Sequence, residues 1–348
     1  LSGSAEVAAA KTLKLSGTGT FGSALNLLGT LEAGANLTVS GLISVAGNSA
    51  AVSIPAAGTT LTYSGGALNV GAHTLAIGGA GTFSNAAGSP LVLDVADSIL
   101  DLTGSGTVSG PVKLENGTFK VSSGTPTISG ELTQIDDATI EVTTGQSLSY
   151  TGASLSLGAN TLTLSGGGTL GNTNALVLND ENSLLSLAGI LTIGDVEGTA
   201  AANAGKGIQV TSSATLGDYD LSAESYLAIA ANQTLAGQLN LQSGGVLKTS
   251  GDGQYTGDIA LAGGKFSATD SQVLSGTLSI TADSELGVSE NYTLTLSQTG
   301  GLALGANTLT LSGGGSLVSG GLTLNDTSSK LLLNSITVDS VSTTIDNS

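Results

Sequence analysis

Clustered acids are the first feature of this sequence that suggests chemistry. Asp94, Asp97 and Asp101 lie close together, Asp136 adjoins Asp137, Asp180 adjoins Glu181, and Asp218 stands two residues from Asp220. Glycoside hydrolysis needs two or three such carboxylates to converge. Neighbouring residues on a strand point to opposite faces, so Asp136 and Asp137 can converge only in a turn. No Arg occurs anywhere in the chain to act as a strong partner or base, and charged side chains are normally solvated. We therefore read the clusters as acids at solvated corners. The one His, His73, would have to serve any Ser-His-Asp triad.

Two further ligand chemistries deserve weighing. Asp, Asn and backbone carbonyls are the hard oxygen ligands that calcium takes. The Asn179-Asp180 and Asn325-Asp326 pairs recur, but the Gly166–Gly168 and Gly313–Gly315 runs lack the Asp of a calcium-binding glycine-rich nonapeptide. Corner-capping side chains explain these pairs, so no cofactor or metal is expected. Thr-x-Thr pairs at Thr60 and Thr62, Thr161 and Thr163, Thr293 and Thr295, and Thr308 and Thr310 are the element of an ice-binding array. Such an array needs Thr on one face in most consecutive turns, and these pairs fall many turns apart, so they read as ordinary outward strand Thr. Five Asn-x-Thr sequons, at Asn36, Asn116, Asn232, Asn291 and Asn325, arise by chance in a chain this rich in Asn and Thr.

Composition narrows the classes. The chain has 348 residues, 26 acidic against 8 basic, for a net charge of -18. That charge repels phosphate backbones, which excludes nucleic acid as a partner, and it disfavours anionic membranes. No apolar run approaches the roughly 18 residues of a membrane helix, and short apolar stretches with no Trp do not make a membrane barrel. Zero Cys removes disulfides, thiolate zinc and a cysteine nucleophile. A mean hydropathy of +0.32 with aromatics at only 3% requires a core built from Leu, Val, Ile and Ala.

The elements that would position these residues emerge when the chain is aligned on itself. Three near copies of one phrase start at Gly71, Gly158 and Gly305; the last two read Gly-Ala-Asn-Thr-Leu-Thr-Leu-Ser-Gly-Gly-Gly. His73 aligns with Asn160 and Asn307, which makes it a polar corner residue rather than a catalyst. A shorter motif, an apolar residue or Tyr followed by Ser or Thr and then Gly, occurs at Val108, Ile128, Tyr150, Tyr255, Leu274 and Val318. These starts differ by one or more units of about 21 residues, a solenoid period. Each unit holds three short strands of alternating apolar and polar residues, separated by Gly, Ser, Asn or Asp.

Strands this short are stable only when stacked turn upon turn. The expected fold is all-β: a right-handed parallel β-helix, or β-solenoid, with about 21 residues and three short strands per turn, roughly 16 or 17 turns in total. Its Gly residues would supply positive φ at the corners. We expect one continuous solenoid over 1–348, with a loop excursion at 194–207 between Leu191-Thr-Ile193 and Ile208-Gln-Val210. No basic segment followed by an apolar run opens the chain at Leu1, so any secretory leader would lie outside this segment.

The LxLxG-type rungs, the Ser/Thr/Asn/Gly corners, the missing Cys and the acidic balance resemble those of bacterial extracellular parallel β-helix proteins: autotransporter passengers, filamentous haemagglutinin-like adhesins and surface fibre proteins. The resemblance spans nearly the whole chain and is one of style. It implies secretion and an extracellular or cell-surface location. Pectate lyases share such a fold and resemble one another in using calcium-bound acids with an Arg base, and here Arg is missing. The expectation is a non-enzymatic structural rod, a segment or subunit of a surface fibre, sheath or adhesin, self-associating end to end through unpaired terminal strands. Host or surface glycans or proteins are the other expected partners. The alternative is a carbohydrate-binding or carbohydrate-processing passenger, which would need a surface groove; Tyr63 and Tyr150 occupy equivalent positions suited to it but are sparse.

Overall fold

Short alternating strands cannot satisfy their backbone groups alone, and this chain satisfies them by stacking. The computed structural model describes residues 4–343. Among the described residues there is no helix, and every strand pairing is parallel, between segments about 20 residues apart. The chain divides into two compact units: residues 1–156 with 160–175, and residues 157–159 with 176–348.

In the first unit one sheet is built from Thr12–Leu15, Thr30–Ala33, Ala50–Ile54, Thr74–Gly79, Ile99–Gly104, Thr118–Ser123, Ala138–Val142 and Thr161–Ser165, each paired with the next. A second sheet runs through Gly19–Phe21, Leu37–Val39, Thr60–Tyr63, Thr82–Asn85, Thr107–Val108, Thr127–Ile128, Ser147–Tyr150 and Thr169–Asn172. A third set, among them Leu68–Asn69, Leu91–Leu93, Val112–Leu114 and Leu132–Gln134, closes each turn. The second unit repeats the plan, its first sheet running from Leu184–Leu187 to Lys330–Asn334 in eight strands. Each unit is a parallel β-solenoid of about eight turns, with three strands and about 21 residues to the turn, as the repeat predicts. In the second unit Ala214–Leu221 and Thr234–Gln242 run unbroken round the corner between the second and third sheets, with a register shift between Thr215 and Asp218.

Register fixes the core. Leu13, Leu31, Val52, Ile77, Leu102, Val121 and Val142 are successive partners in one inward column. All but the terminal Leu13 are buried, and each fully buried aliphatic contributes about 1.5–3 kcal/mol. Most of the few aromatics are inside as well: Phe83, Phe119, Phe266, Tyr63, Tyr150 and Tyr219 are fully buried, Tyr63 stacks on Phe83 with ring centroids 6.5 Å apart, and Tyr292 is exposed. Tyr63 and Tyr150 therefore offer nothing to a surface groove. Their hydroxyls serve the neighbouring turn instead, each accepting a backbone N–H, from Ile43 and Leu132 respectively, at 3.3 Å.

The glycines divide into two kinds. Gly71, Gly158 and Gly305, which open the copied phrase, have φ of +61°, +58° and +57°, as expected of corner glycines. Gly110, Gly130, Gly152, Gly257 and Gly276, from the shorter motif, do not have positive φ. A Cβ on Gly130 would lie 1.9 Å from the Gly110 carbonyl oxygen, and one on Gly276 would lie 1.9 Å from that of Gly257. Close stacking, rather than a left-handed backbone, excludes side chains there. Close approach thus joins the positive φ expected of corner glycines, which Gly320 in the last copy of the shorter motif keeps at +66°.

Candidate functional site

The copied phrase builds one hydrogen-bonded corner three times. In the first unit the Gly71 N–H donates to Asp94 Oδ1 (2.8 Å), Ser98 Oγ donates to the Gly71 carbonyl (2.7 Å), and the Val95 N–H donates to Ser98 Oγ (3.1 Å). In the second unit Gly158 meets Asn179 (2.9 Å) and Ser183 (2.6 Å) in the same way, and Gly305 meets Asn325 (2.8 Å) and Ser329 (2.5 Å). The Asp180 and Asp326 amides donate to these Ser hydroxyls, each at 3.0 Å. Ser98 and Ser183 are buried, so this network satisfies backbone groups that water does not reach. The recurring Asn-Asp pairs are thus corner caps: the Asn side chain takes the Gly amide, and the Asp side chain accepts the amide two residues on, Asn182 or Ser328.

Asp101, Asp136, Asp137 and Asp220 also bond to groups nearby. Asp101 Oδ2 accepts from the Ser122 hydroxyl one turn on (2.9 Å), and burial raises its carboxyl above the ordinary value despite that bond and the nearby Lys120. Asp136 and Asp137 do share a turn; Asp136 accepts the Asp137 amide, while Asp137 accepts the Thr161 amide of the next turn (2.6 Å). Asp220 accepts from Asn240 (2.7 Å). His73 Nδ1 lies 3.3 Å from Asn48 Oδ1 at an exposed corner. Among the described residues no three His, Cys, Asp or Glu side chains gather in a group that could hold a metal ion.

Charge pairing is concentrated on the first sheet. Lys14–Glu32, Lys120–Glu141 and Lys265–Glu285 are register partners on adjacent turns at 2.6, 2.8 and 2.6 Å. Lys248 reaches Glu224 at 2.6 Å, diagonally past Tyr226, whose ring centroid is 5.2 Å from its Nζ. Partly exposed pairs contribute only about 0–1 kcal/mol each, so their main effect is to penalise slipped register.

The second sheet of the first unit has a different exterior. Five consecutive turns present a hydroxyl, an inward apolar residue and another hydroxyl: Thr60-Leu61-Thr62, Thr82-Phe83-Ser84, Thr107-Val108-Ser109, Thr127-Ile128-Ser129 and Ser149-Tyr150-Thr151. Thr60, Thr82, Thr107, Thr127 and Ser149 are successive partners, and Ser109, Ser129 and Thr151 continue the column from Thr62 and Ser84. Thr20 and Thr38 extend that column on the other side of Thr62. Comparison with protein-family models, with curated proteins and with solved structures finds no match. The hydroxyl face must therefore be read from its own geometry.

The Thr-x-Thr pairs themselves do not stack: Thr161-Thr163 and Thr308-Thr310 lie on first-sheet strands, Thr60-Thr62 and Thr293-Thr295 on second-sheet strands. Searching for Thr at both positions missed the array because Ser fills one position in most of its turns. The signal was present in the Ser/Thr-Gly motif at Val108, Ile128 and Tyr150, which holds one of the two columns. The excursion expected at 194–207 is shorter in the structure. Val196–Gly198 pairs with Leu176–Leu178, leaving 199–206 as the connection. That connection is tied down, the Asn203 amide donating to the Glu181 carbonyl (2.7 Å) and the Ala202 amide to that of Glu224 (2.8 Å).

Proposed function

We propose that the chain is a non-enzymatic structural element outside the cell, a segment or subunit of a surface fibre, sheath or adhesin. One observation carries this reading: four of the acids that first suggested chemistry link one turn to the next instead of converging. Asp94, Asp101, Asp137 and Asp220 all bind a neighbouring turn, and the lysine pairs do the same. A solenoid whose polar groups are used in this way is stiff against sliding and peeling of turns, which is the property a load-bearing segment requires. The acidic, Cys-free exterior resembles that of bacterial surface β-helix proteins and supports the same reading.

Association at the terminal turns belongs to the proposal. In the last described turn Leu332, Leu333 and Val341 are about half exposed, at 52%, 56% and 49%, beside strands with no further partner among the described residues. Further turns of the same chain would cover them, and so would a second copy supplying its own strands. Electron microscopy and sedimentation of the purified chain test this version: filaments or concentration-dependent oligomers are expected, and Leu333→Asp should abolish them. Immunogold labelling of the source cells tests location; label confined to the cell interior would overturn the extracellular reading. Hydrolysis or lysis of a polysaccharide panel, lost on Asp→Asn substitution, would overturn the non-enzymatic one.

A further inference from the structure

We propose that the hydroxyl face of the first unit is an ice-binding surface. Strand spacing places equivalent hydroxyl positions about 4.8 Å apart from turn to turn, and the rise along a strand places the two columns about 6.6 Å apart. This two-dimensional repeat approximates the spacing of oxygen rows on a prism face of ice. Stacking in register keeps such a sheet flatter than an open twisted one, so the match extends over several turns.

Two further observations point to a water lattice rather than another partner. Of the ten hydroxyls in the five triplets, nine make no hydrogen bond within the chain, and only Thr151 donates weakly, to the Ile128 carbonyl at 3.4 Å. Thr just past strand ends elsewhere donate to the preceding turn, Thr211 to the Leu187 carbonyl (3.2 Å) and Thr269 to that of Thr249 (2.7 Å), whereas outward strand Thr such as Thr163 and Thr310 make no side-chain hydrogen bond either; what sets the face apart is that its free hydroxyls fall in register on consecutive turns. The face thus keeps its hydroxyls free for an external partner with periodic donors and acceptors.

The face is also neutral in a chain of net charge -18: its five triplets contain no charged residue, and the aromatics among them, Phe83 and Tyr150, point inward. Cations and basic partners find no carboxylate there, and sugars find no ring to stack on. Threonine methyls between hydroxyls hold neighbouring water in cages, and anchored water of this kind bridges the side chains to a growing lattice.

The test uses the full chain in a thermal-hysteresis and ice-recrystallisation assay. Faceted ice crystals, a gap between melting and freezing points and suppressed recrystallisation are expected. Thr107→Lys should abolish all three by lifting the lattice off the face, and Thr107→Ala should weaken them without adding bulk. Thr139→Lys, on the outward side of the first sheet, should leave them unchanged, with circular dichroism melting curves confirming that every variant folds. Absence of ice activity in the unaltered chain overturns the proposal. Equal loss in Thr139→Lys also overturns it, as does adsorption to a powdered crystalline polysaccharide that Thr107→Lys abolishes while ice is unaffected.

Discussion

Gly130 stacks directly on Gly110, so closely that a methyl group on Gly130 would sit 1.9 Å from the Gly110 carbonyl oxygen. Backbone cannot move away from such an overlap without breaking the ladder on both sides. Gly130→Ala should therefore destabilise the first unit by about 1–3 kcal/mol or more, the usual cost of overpacking. Gly88→Ala is the control, because a Cβ there meets nothing within 4 Å and its φ is not positive. Urea unfolding followed by circular dichroism compares the two; equal midpoints would refute the stacking argument.

The corner caps should be local keystones. Ser183 is almost fully buried and links the Gly158 carbonyl to the Asp180 amide. Ser183→Ala leaves both groups buried without a partner, at a cost of about 1–3 kcal/mol. Amide hydrogen exchange should accelerate at Asp180 first, because solenoid turns open locally. Unchanged exchange at that amide would show that the cap is dispensable.

Tyr219 and Ser225 share a fully buried hydroxyl pair at 2.8 Å, and burial pushes the Tyr219 phenol well above its ordinary value. Tyr219→Phe should cost about 1–3 kcal/mol by orphaning the Ser225 hydroxyl. The double variant Tyr219→Phe, Ser225→Ala removes both polar groups and should recover much of that loss. A double variant less stable than the sum of the single ones would contradict this account.

Acid should weaken the second unit through Glu285 and Asp339. Burial alone would raise the Glu285 carboxyl, but hydrogen bonds from Lys265 and Ser312 and the Lys265 charge outweigh it and hold the group below its ordinary value. Burial likewise opposes ionisation of Asp339, and bonds from the Ser319 hydroxyl and the Ser340, Ser319 and Gly320 amides reverse it. A carboxyl depressed on folding contributes stability above its unfolded value and loses it as pH falls through the folded value. Asp101 in the first unit has the opposite sign: its raised carboxyl favours folding as it takes up a proton. Melting curves from neutral pH to about pH 3 should show Glu285→Gln with a flatter acid limb than the unaltered chain, and Asp101→Asn with a gain confined to neutral pH.

Much of the fold was legible because a solenoid repeats its instructions. Leu162 and Leu164, or Leu309 and Leu311, alternate with outward Thr, and that alternation settles which side chains are buried once the period is found. The corner role of Asn179-Asp180 and Asn325-Asp326 was legible for the same reason, since each pair follows a copied phrase. Sparseness in the sequence sets Tyr63 and Tyr150 aside as groove residues; their burial is the stronger reason. Alternation places both inward, but a phenol suggests an exposed partner until the Ile43 and Leu132 amides are seen beside their hydroxyls.

By itself the sequence determined the architecture, since strands of three to five alternating residues, with glycine at the turns and a period near 21, have no stable arrangement except stacked parallel coils. It also settled what the chain lacks for chemistry, with neither Arg nor Cys. Only the tertiary structure decided which outward residues become neighbours. Turns differ in length, Thr82 lying 25 residues from Thr107 and Thr107 lying 20 from Thr127, so no fixed spacing reveals that they form one column. Hydrogen-bonded register absorbs those differences at the corners and aligns the hydroxyls on one face.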